Sequence, residues 1–144
     1  MNIGQAAKAS GISMKMVRRY EDEGLLPGVL RSRNGYRLYT DADVTRLRFI
    51  KRARMLDFSL RQIRDLLALS DASDRRCLDV LAITQEHARE LDAKVEAMKE
   101  TARRLHALAS SCDASDGSDC RIIESLLSGI GLDAASPEVQ PSAA

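Results

Sequence analysis

Hydrophobic and polar positions at the start of the chain follow the spacing of two short helices. The apolar positions of residues 3–9 recur at helical intervals and predict the first helix. Ser13 is placed to cap a second helix over residues 14–23, which Gly24 ends. Two short helices joined by a glycine-containing turn form a helix-turn-helix pattern, which on its own is weakly specific.

A β-hairpin is predicted directly after this pair of helices. Residues 30–32 and 36–39 are short strand candidates, and Asn34-Gly35 lies between them. Asn-Gly between two such segments is the strongest local indication of a hairpin. The hairpin would form a small wing beside the two helices.

Two further helices complete the N-terminal region. Thr40 is placed to cap a helix over residues 41–55, and Ser59 is placed to cap another over residues 60–69. Residues 1–69 are therefore predicted to form one winged helix-turn-helix domain.

A heptad seam runs through a long helical segment over residues 75–111. Apolar positions recur there in alternating steps of four and three, with no Pro or Gly inside the segment. The seam consists of Cys77, Leu81, Thr84, Ala88, Leu91, Val95, Met98, Ala102, Leu105, Ala109 and Cys112. A lone helix of this length cannot bury the seam, so we expect a homodimer through the same helix of a second copy. Packing of the helix on its own N-terminal domain is the alternative.

The predicted fold is mainly α-helical, with the winged domain at its N-terminal end. The long dimerisation helix follows it, and residues 112–128 form a loop and a short helix. Residues 129–144 are rich in Ala, Ser and Pro and are predicted to be disordered.

Charge is distributed unevenly along the 144 residues. Residues 1–69 carry 14 basic and 7 acidic side chains, whereas residues 70–144 carry 8 and 14. A basic domain followed by an acidic one indicates an anionic partner such as nucleic acid. No apolar stretch is long enough to span a membrane, and the first residues lack an apolar signal core. We therefore expect a cytoplasmic protein with no membrane partner.

Cations and tyrosines cluster on the second helix and on the wing. Arginine binds phosphates or guanine edges through its forked guanidinium, and tyrosine hydroxyls reach phosphates. The candidate DNA-binding residues are Lys15, Arg18, Arg19, Tyr20, Arg31, Arg33, Asn34, Tyr36, Arg37, Tyr39 and Arg54. For any one arginine the alternative is a solvated surface residue, but the cluster favours double-stranded DNA.

Several motifs in this region resemble the mercury-resistance (MerR) family of regulators. They are IGQAA at residues 3–7, VRRYE at 17–21, GLLP at 24–27 and RSRNGYRLY at 31–39. The similarity continues through the long helix to about Leu126.

The resemblance implies a mechanism of activation. Dimers of this family bind a palindrome inside a promoter whose spacer is too long for RNA polymerase. Metal binding bends and underwinds the DNA, so that the polymerase can use both promoter elements. The ligand thus shifts a two-state equilibrium that is read out as DNA deformation. The resemblance implies a metal-resistance or efflux promoter as the target.

The three cysteines are the candidate metal ligands. Cys77 and Cys112 are 35 residues apart, or about 52 Å along a helix, and cannot share an ion within one chain. In an antiparallel dimer Cys77 lies beside the partner's Cys112, and the loop brings Cys120 back to the same place. Each dimer would then hold two composite sites. A packing role for Cys77, or a disulfide between Cys112 and Cys120, is the alternative; a reducing cytosol disfavours the disulfide.

Two observations about the ion conflict. Two thiolates suit linear Cu(I), Ag(I) or Au(I), whereas a third suits Hg(II), Pb(II), Cd(II) or Zn(II). The family's monovalent sensors resemble this chain in loop spacing and in the following Ile122-Ile123-Glu124. They carry Ser at the position that matches Cys77, whereas the divalent sensors carry Cys. We give the ligand more weight and predict a divalent ion, with Cu(I) as the alternative.

Two other functions compete with this hypothesis. A redox- or drug-responsive regulator of the same fold would need Cys112 or Cys120 but not all three cysteines. An enzyme is disfavoured, because the sequence contains no catalytic Ser/His/Asp set, no phosphate-binding loop and no paired carboxylates in an apolar setting.

Overall fold

The structure is a computed structural model that describes residues 1–72, 77–112, 120–130 and 132–133. The chain divides into two compact units, the first over residues 1–83 and the second from Thr84 onward. Residues 75–76 of the predicted dimerisation helix, the loop at 113–119 and most of the predicted disordered tail lie outside the described residues.

The first unit begins with the expected pair of helices. Helix α1 spans Ile3–Ser10 and helix α2 spans Met14–Asp22. The predicted cap of α2 is confirmed, since the side chain of Ser13 accepts a hydrogen bond from the Met16 amide. Gly24 ends the helix with a φ of +75°, a conformation that costs glycine little.

The wing is a two-stranded antiparallel hairpin. Strand β1 (Leu30–Arg31) pairs with strand β2 (Arg37–Leu38), with Leu30 opposite Leu38. The hairpin predicted from Asn34-Gly35 is thus confirmed, but the turn is one residue longer than a two-residue loop. The Gly35 amide donates to the Ser32 carbonyl at 2.9 Å, and Gly35 alone takes a positive φ, of +80°. This is the pattern of a type I turn followed by a bulge.

Helices α3 (Asp41–Met55) and α4 (Leu60–Asp71) follow the wing. Both predicted caps are confirmed, because Thr40 and Ser59 each form a capping box with the third residue of the helix they precede. Asp57 takes a φ of +61° in the turn between α3 and α4.

One hydrophobic core holds the first unit together. Its buried members come from every helix of this unit and from the loops around the wing. They are Ala6, Ala7, Val17, Tyr20, Leu25, Leu26, Tyr39, Val44, Leu47, Ile50, Ala53, Phe58, Ile63, Leu66 and Leu67.

The second unit contains most of helix α5 (Cys77–Ser111) and the short helix α6 (Arg121–Ser128). Arg104 of α5 donates a hydrogen bond to the Leu132 carbonyl, just after α6, at 3.0 Å. Pairs of opposite charge three residues apart, such as Glu100 and Arg103, occupy the polar side of α5. The mainly α-helical fold is as predicted, and none of the helices in the described ranges is long and apolar enough to cross a membrane.

Candidate nucleic-acid interface and metal-ligating residues

Helix α2 presents one face to the core and another to solvent. Val17 is fully buried and Tyr20 is 5% exposed, so this side of the helix packs into the domain. The opposite side carries Lys15, Arg18 and Arg19, all of which are exposed. The exposed face of α2 is therefore a row of cations.

The polar side chains of the wing are likewise exposed to solvent. Arg31, Arg33, Asn34 and Tyr36 are all exposed, and the ring of Tyr36 is 72% accessible. The turn is held by short local bonds, including one of 3.1 Å from Arg31 Nη1 to the Gly35 carbonyl. These hydrogen bonds define the turn from which the exposed side chains of the wing extend.

A groove of about 490 Å³ lies between α1, α2 and the wing. Its lining residues are Asn2, Ile3, Arg18, Ser32, Gly35, Tyr36, Arg37 and Leu38. Two guanidinium groups, a hydroxyl and a phenol suit an anionic ligand such as a backbone phosphate. Asn2 and Ser32 were not expected here; the Asn2–Gln5 capping pattern at the start of α1 is the sequence feature that places Asn2.

Tyr20 and Tyr39, which we expected to contact DNA, belong to the core instead. They are 5% and 2% exposed. The Tyr39 hydroxyl donates a hydrogen bond of 3.0 Å to the carboxylate of Glu21 rather than facing solvent. Burial, followed by this hydrogen bond, raises the pKa of Tyr39 to about 12. An aromatic ring that adds this much buried apolar surface is worth more inside the domain than at its surface.

Arg37 and Arg54 also have partners within the protein. The Nε atom of Arg37 lies 2.7 Å from Glu21 Oε2, and this ion pair raises the pKa of Arg37. Arg54 donates a hydrogen bond of 2.9 Å to the Phe58 carbonyl in the turn after α3. Arg37 still lines the groove, whereas Arg54 stabilises a turn.

The three cysteines are free and exposed. Cys77 is the first residue of α5, Cys112 directly follows its last residue, and Cys120 is the N-cap of α6 without a side-chain cap bond. No group of three or more potential ligands lies together within the described part of one chain.

The seam of α5 is accessible in the single chain. Leu81, Val95, Met98 and Leu105 are 47%, 49%, 72% and 61% exposed, and Leu91 is partly exposed. Ala88 and Ala102 are also exposed. So much exposed apolar surface along one helix is typical of an interaction site.

Comparison with known proteins identifies the family of this chain. Residues 1–70 match "MerR HTH family regulatory protein", and residues 44–108 match "MerR, DNA binding". The chain is 48% identical over 129 residues to Heavy metal-dependent transcription regulator 2 of Rhizobium meliloti (strain 1021), covering 90% of this chain and 88% of the relative. It is 36% identical to the HTH-type transcriptional regulator CueR of Escherichia coli O6:H1 (strain CFT073), covering 88% of this chain and 93% of CueR.

A solved structure extends the match to three dimensions. The transcription regulator PbrR691 from Ralstonia metallidurans CH34, in complex with lead(II), superposes with a TM-score of 0.80 at 38% identity, over 88% of this chain and 98% of that one. Fold and interface thus define a helix-turn-helix DNA-binding transcription regulator, which is not an enzyme. More specifically, the chain belongs to the MerR family.

Proposed function

We propose that this metal-responsive MerR-family regulator activates a metal-resistance or efflux promoter when it binds a divalent thiophilic ion, Cd(II), Pb(II), Zn(II) or Hg(II). The observation that carries the choice of ion is Cys77, an exposed free thiol at the first residue of α5. A third thiolate adds both a ligand and a negative charge, and a divalent ion gains from both.

Promoter DNA is the proposed partner of the exposed face of α2 and of the wing. Arg18 and Tyr36 line one groove with Arg37. The same helix and wing also carry four exposed cations, Lys15, Arg19, Arg31 and Arg33. Phosphate contacts of this kind supply most of the affinity for DNA and set the register of the protein. RNA polymerase would read the resulting change in the promoter spacer.

The proposed working form is an antiparallel homodimer through α5. The exposed seam supports it, because Val95, Met98 and Leu105 would be buried against the same helix of a second copy. Only the antiparallel arrangement brings Cys77 beside the partner's Cys112. The dimer and the metal site therefore depend on the same orientation of the helices.

The chemistry of the three cysteines fits a thiophilic ion. Thiolates are soft ligands, and Cys120 stands at the N-terminal end of α6, where the helix dipole favours negative charge. The proposed ligand set is Cys112 and Cys120 of one chain with the partner's Cys77. The lead(II) complex of PbrR691, at 38% identity, supports a divalent effector.

Promoter activation in wild type and in Cys77→Ser tests this proposal. We expect Cys77→Ser to lose at least about ten-fold of the response to Cd(II), Pb(II), Zn(II) or Hg(II), since even the loss of a group that only orients a metal ligand costs about ten-fold or more. Cys112→Ser is the matched control, because it should abolish the response to every ion. The proposal is rejected if wild type responds only to Cu(I), Ag(I) or Au(I) and Cys77→Ser preserves that response.

A monovalent effector is the second candidate. The loop spacing between Cys112 and Cys120 and the following Ile122-Ile123-Glu124, which resemble the family's monovalent sensors, support it. In that case Cys112 and Cys120 would bind the ion as a two-coordinate pair, and Cys77 would be a small seam residue. A redox- or drug-responsive regulator of the same fold is the remaining alternative. Measuring the number of metal ions bound per dimer distinguishes it from a metal sensor, because its response would not require an ion at these thiols.

A further inference from the structure

We propose that Glu21 is a positioning residue for DNA binding, which anchors the wing to α2 although its own charge repels DNA. The inference rests on the proposed DNA-binding face of α2 and the wing. It concerns a side chain that the sequence marked only as the last residue of the VRRYE motif at 17–21.

The carboxylate of Glu21 joins the last turn of α2 to the second strand of the wing. Its Oε2 atom lies 2.7 Å from Arg37 Nε and accepts a hydrogen bond of 3.0 Å from the Tyr39 hydroxyl. The side chains of Glu21 and Arg37 are only 16% and 29% exposed. A partly buried ion pair is screened less than a surface pair, so this contact is stronger than a solvated one.

The alternation of side chains along β2 explains why the wing makes this contact on one side only. Arg37 and Tyr39 are two residues apart in an extended segment, and both reach Glu21. Tyr36 and Leu38, the alternate residues, are 72% and 41% exposed. Anchoring the inner side of the strand thus determines where its outer side is presented.

The backbone reinforces the same position. The Tyr39 amide donates to the Met1 carbonyl at 2.7 Å, next to the start of α1. Tyr39 is thereby tied to α1 by its backbone and to α2 by its side chain. The wing cannot tilt away from α2 without losing the contacts at Glu21.

Glu21 contacts a residue that lines the groove but does not line the groove itself. Within the described chain the groove is lined by Arg18 and Arg37 but not by Glu21. The carboxylate therefore acts on the ligand through Arg37 and through the placement of the wing. This separates a positioning role from a direct contact.

Loss of the Glu21 carboxylate should change the affinity for DNA in opposite directions, depending on whether its negative charge or its contacts with the wing matter more. Removing a negative charge near a phosphate-binding face strengthens binding if electrostatics alone decides. Releasing the wing weakens binding, because Tyr36 and the wing arginines lose their fixed distance from α2. Whether the affinity for DNA rises or falls therefore distinguishes the electrostatic effect from the positioning effect.

The experiment measures binding of full-length protein to a mixed-sequence duplex DNA over a range of salt concentrations. We expect Glu21→Gln to weaken binding by about ten-fold and to flatten the salt dependence, since wing phosphate contacts are lost. Asp22→Asn is the matched control: it removes the same charge from the next, exposed residue of α2. It should bind as tightly as wild type or more tightly.

Two further variants make every result decisive. Glu21→Asp keeps the charge but withdraws the carboxylate from the wing, so it should also bind weakly; this variant decides the question if Glu21→Gln does not fold. Equal affinities and salt slopes for Glu21→Asp and wild type, or for Glu21→Gln and Asp22→Asn, would overturn the proposal. Arg18→Ala at wild-type affinity would instead reject the proposed DNA-binding face itself.

Discussion

Arg46 of α3 donates a hydrogen bond from its Nε atom to the backbone carbonyl of Leu25, in the loop that leaves α2. The same guanidinium forms an ion pair of 2.7 Å with Asp71, the last residue of α4. Arg64 of α4 donates in a similar way to the Glu23 carbonyl at 2.7 Å. Two arginines thus satisfy carbonyl groups at the end of α2, where a helix leaves its acceptors without partners.

Replacement of Arg46 by alanine should destabilise the first unit. The change removes a charge-assisted hydrogen bond to Leu25 and leaves a buried backbone acceptor unsatisfied, so we expect the free energy of unfolding to fall by about 2 kcal/mol. Urea denaturation followed by circular dichroism measures this value. Arg52→Ala, at an exposed position of the same helix, is the control and should change it by less than about 0.5 kcal/mol. Equal stabilities of the two variants would contradict the role given to Arg46.

Charge placed on the seam of α5 should dissociate the proposed dimer. Leu91→Asp combined with Met98→Asp would bury carboxylates in an apolar interface, and we expect dimerisation to weaken by at least about 3 kcal/mol, or a hundred-fold. Sedimentation velocity should then show monomers. Ala93→Asp, on the opposite side of the helix, should remain dimeric. An unchanged dimer in the double variant would exclude this seam as the interface.

The stability of the protein at alkaline pH should depend on Tyr39. Its pKa is raised from 10.0 to about 12, first by burial and then by the hydrogen bond to Glu21. The fold favours the protonated phenol, so this contribution is fully present below about pH 10 and is lost as pH rises through about 12.

The measurement compares the free energy of unfolding of wild type and Tyr39→Phe as a function of pH. Because the variant cannot ionise at this position, wild type should lose about 2 kcal/mol relative to it between about pH 10 and about pH 12. Tyr36→Phe, which removes an exposed hydroxyl, serves as the control and should follow the wild-type curve. Parallel curves for wild type and Tyr39→Phe would show that the hydroxyl of Tyr39 ionises as freely in the folded protein as in the unfolded chain.

Local sequence patterns determined the elements of this fold. Ser13, Thr40 and Ser59 mark helix starts because a hydroxyl side chain accepts a bond from an amide only three residues away. Gly35 closes the wing because the turn requires a positive φ. The apolar period of α5 likewise identified a seam that the single chain leaves exposed. Each of these features involves neighbours within a few residues or a regular repeat.

Contacts between distant residues were decided only by the tertiary structure. Tyr20 and Tyr39 stand among cations in the sequence and looked like DNA contacts, but both are buried. A tyrosine has an apolar ring and a polar hydroxyl, so its place depends on whether a partner such as Glu21 lies within reach. Glu21 and Arg37 are 16 residues apart, and no local pattern indicates that they meet. The packing of α2 against the wing brings them together, and that packing is set by the whole core.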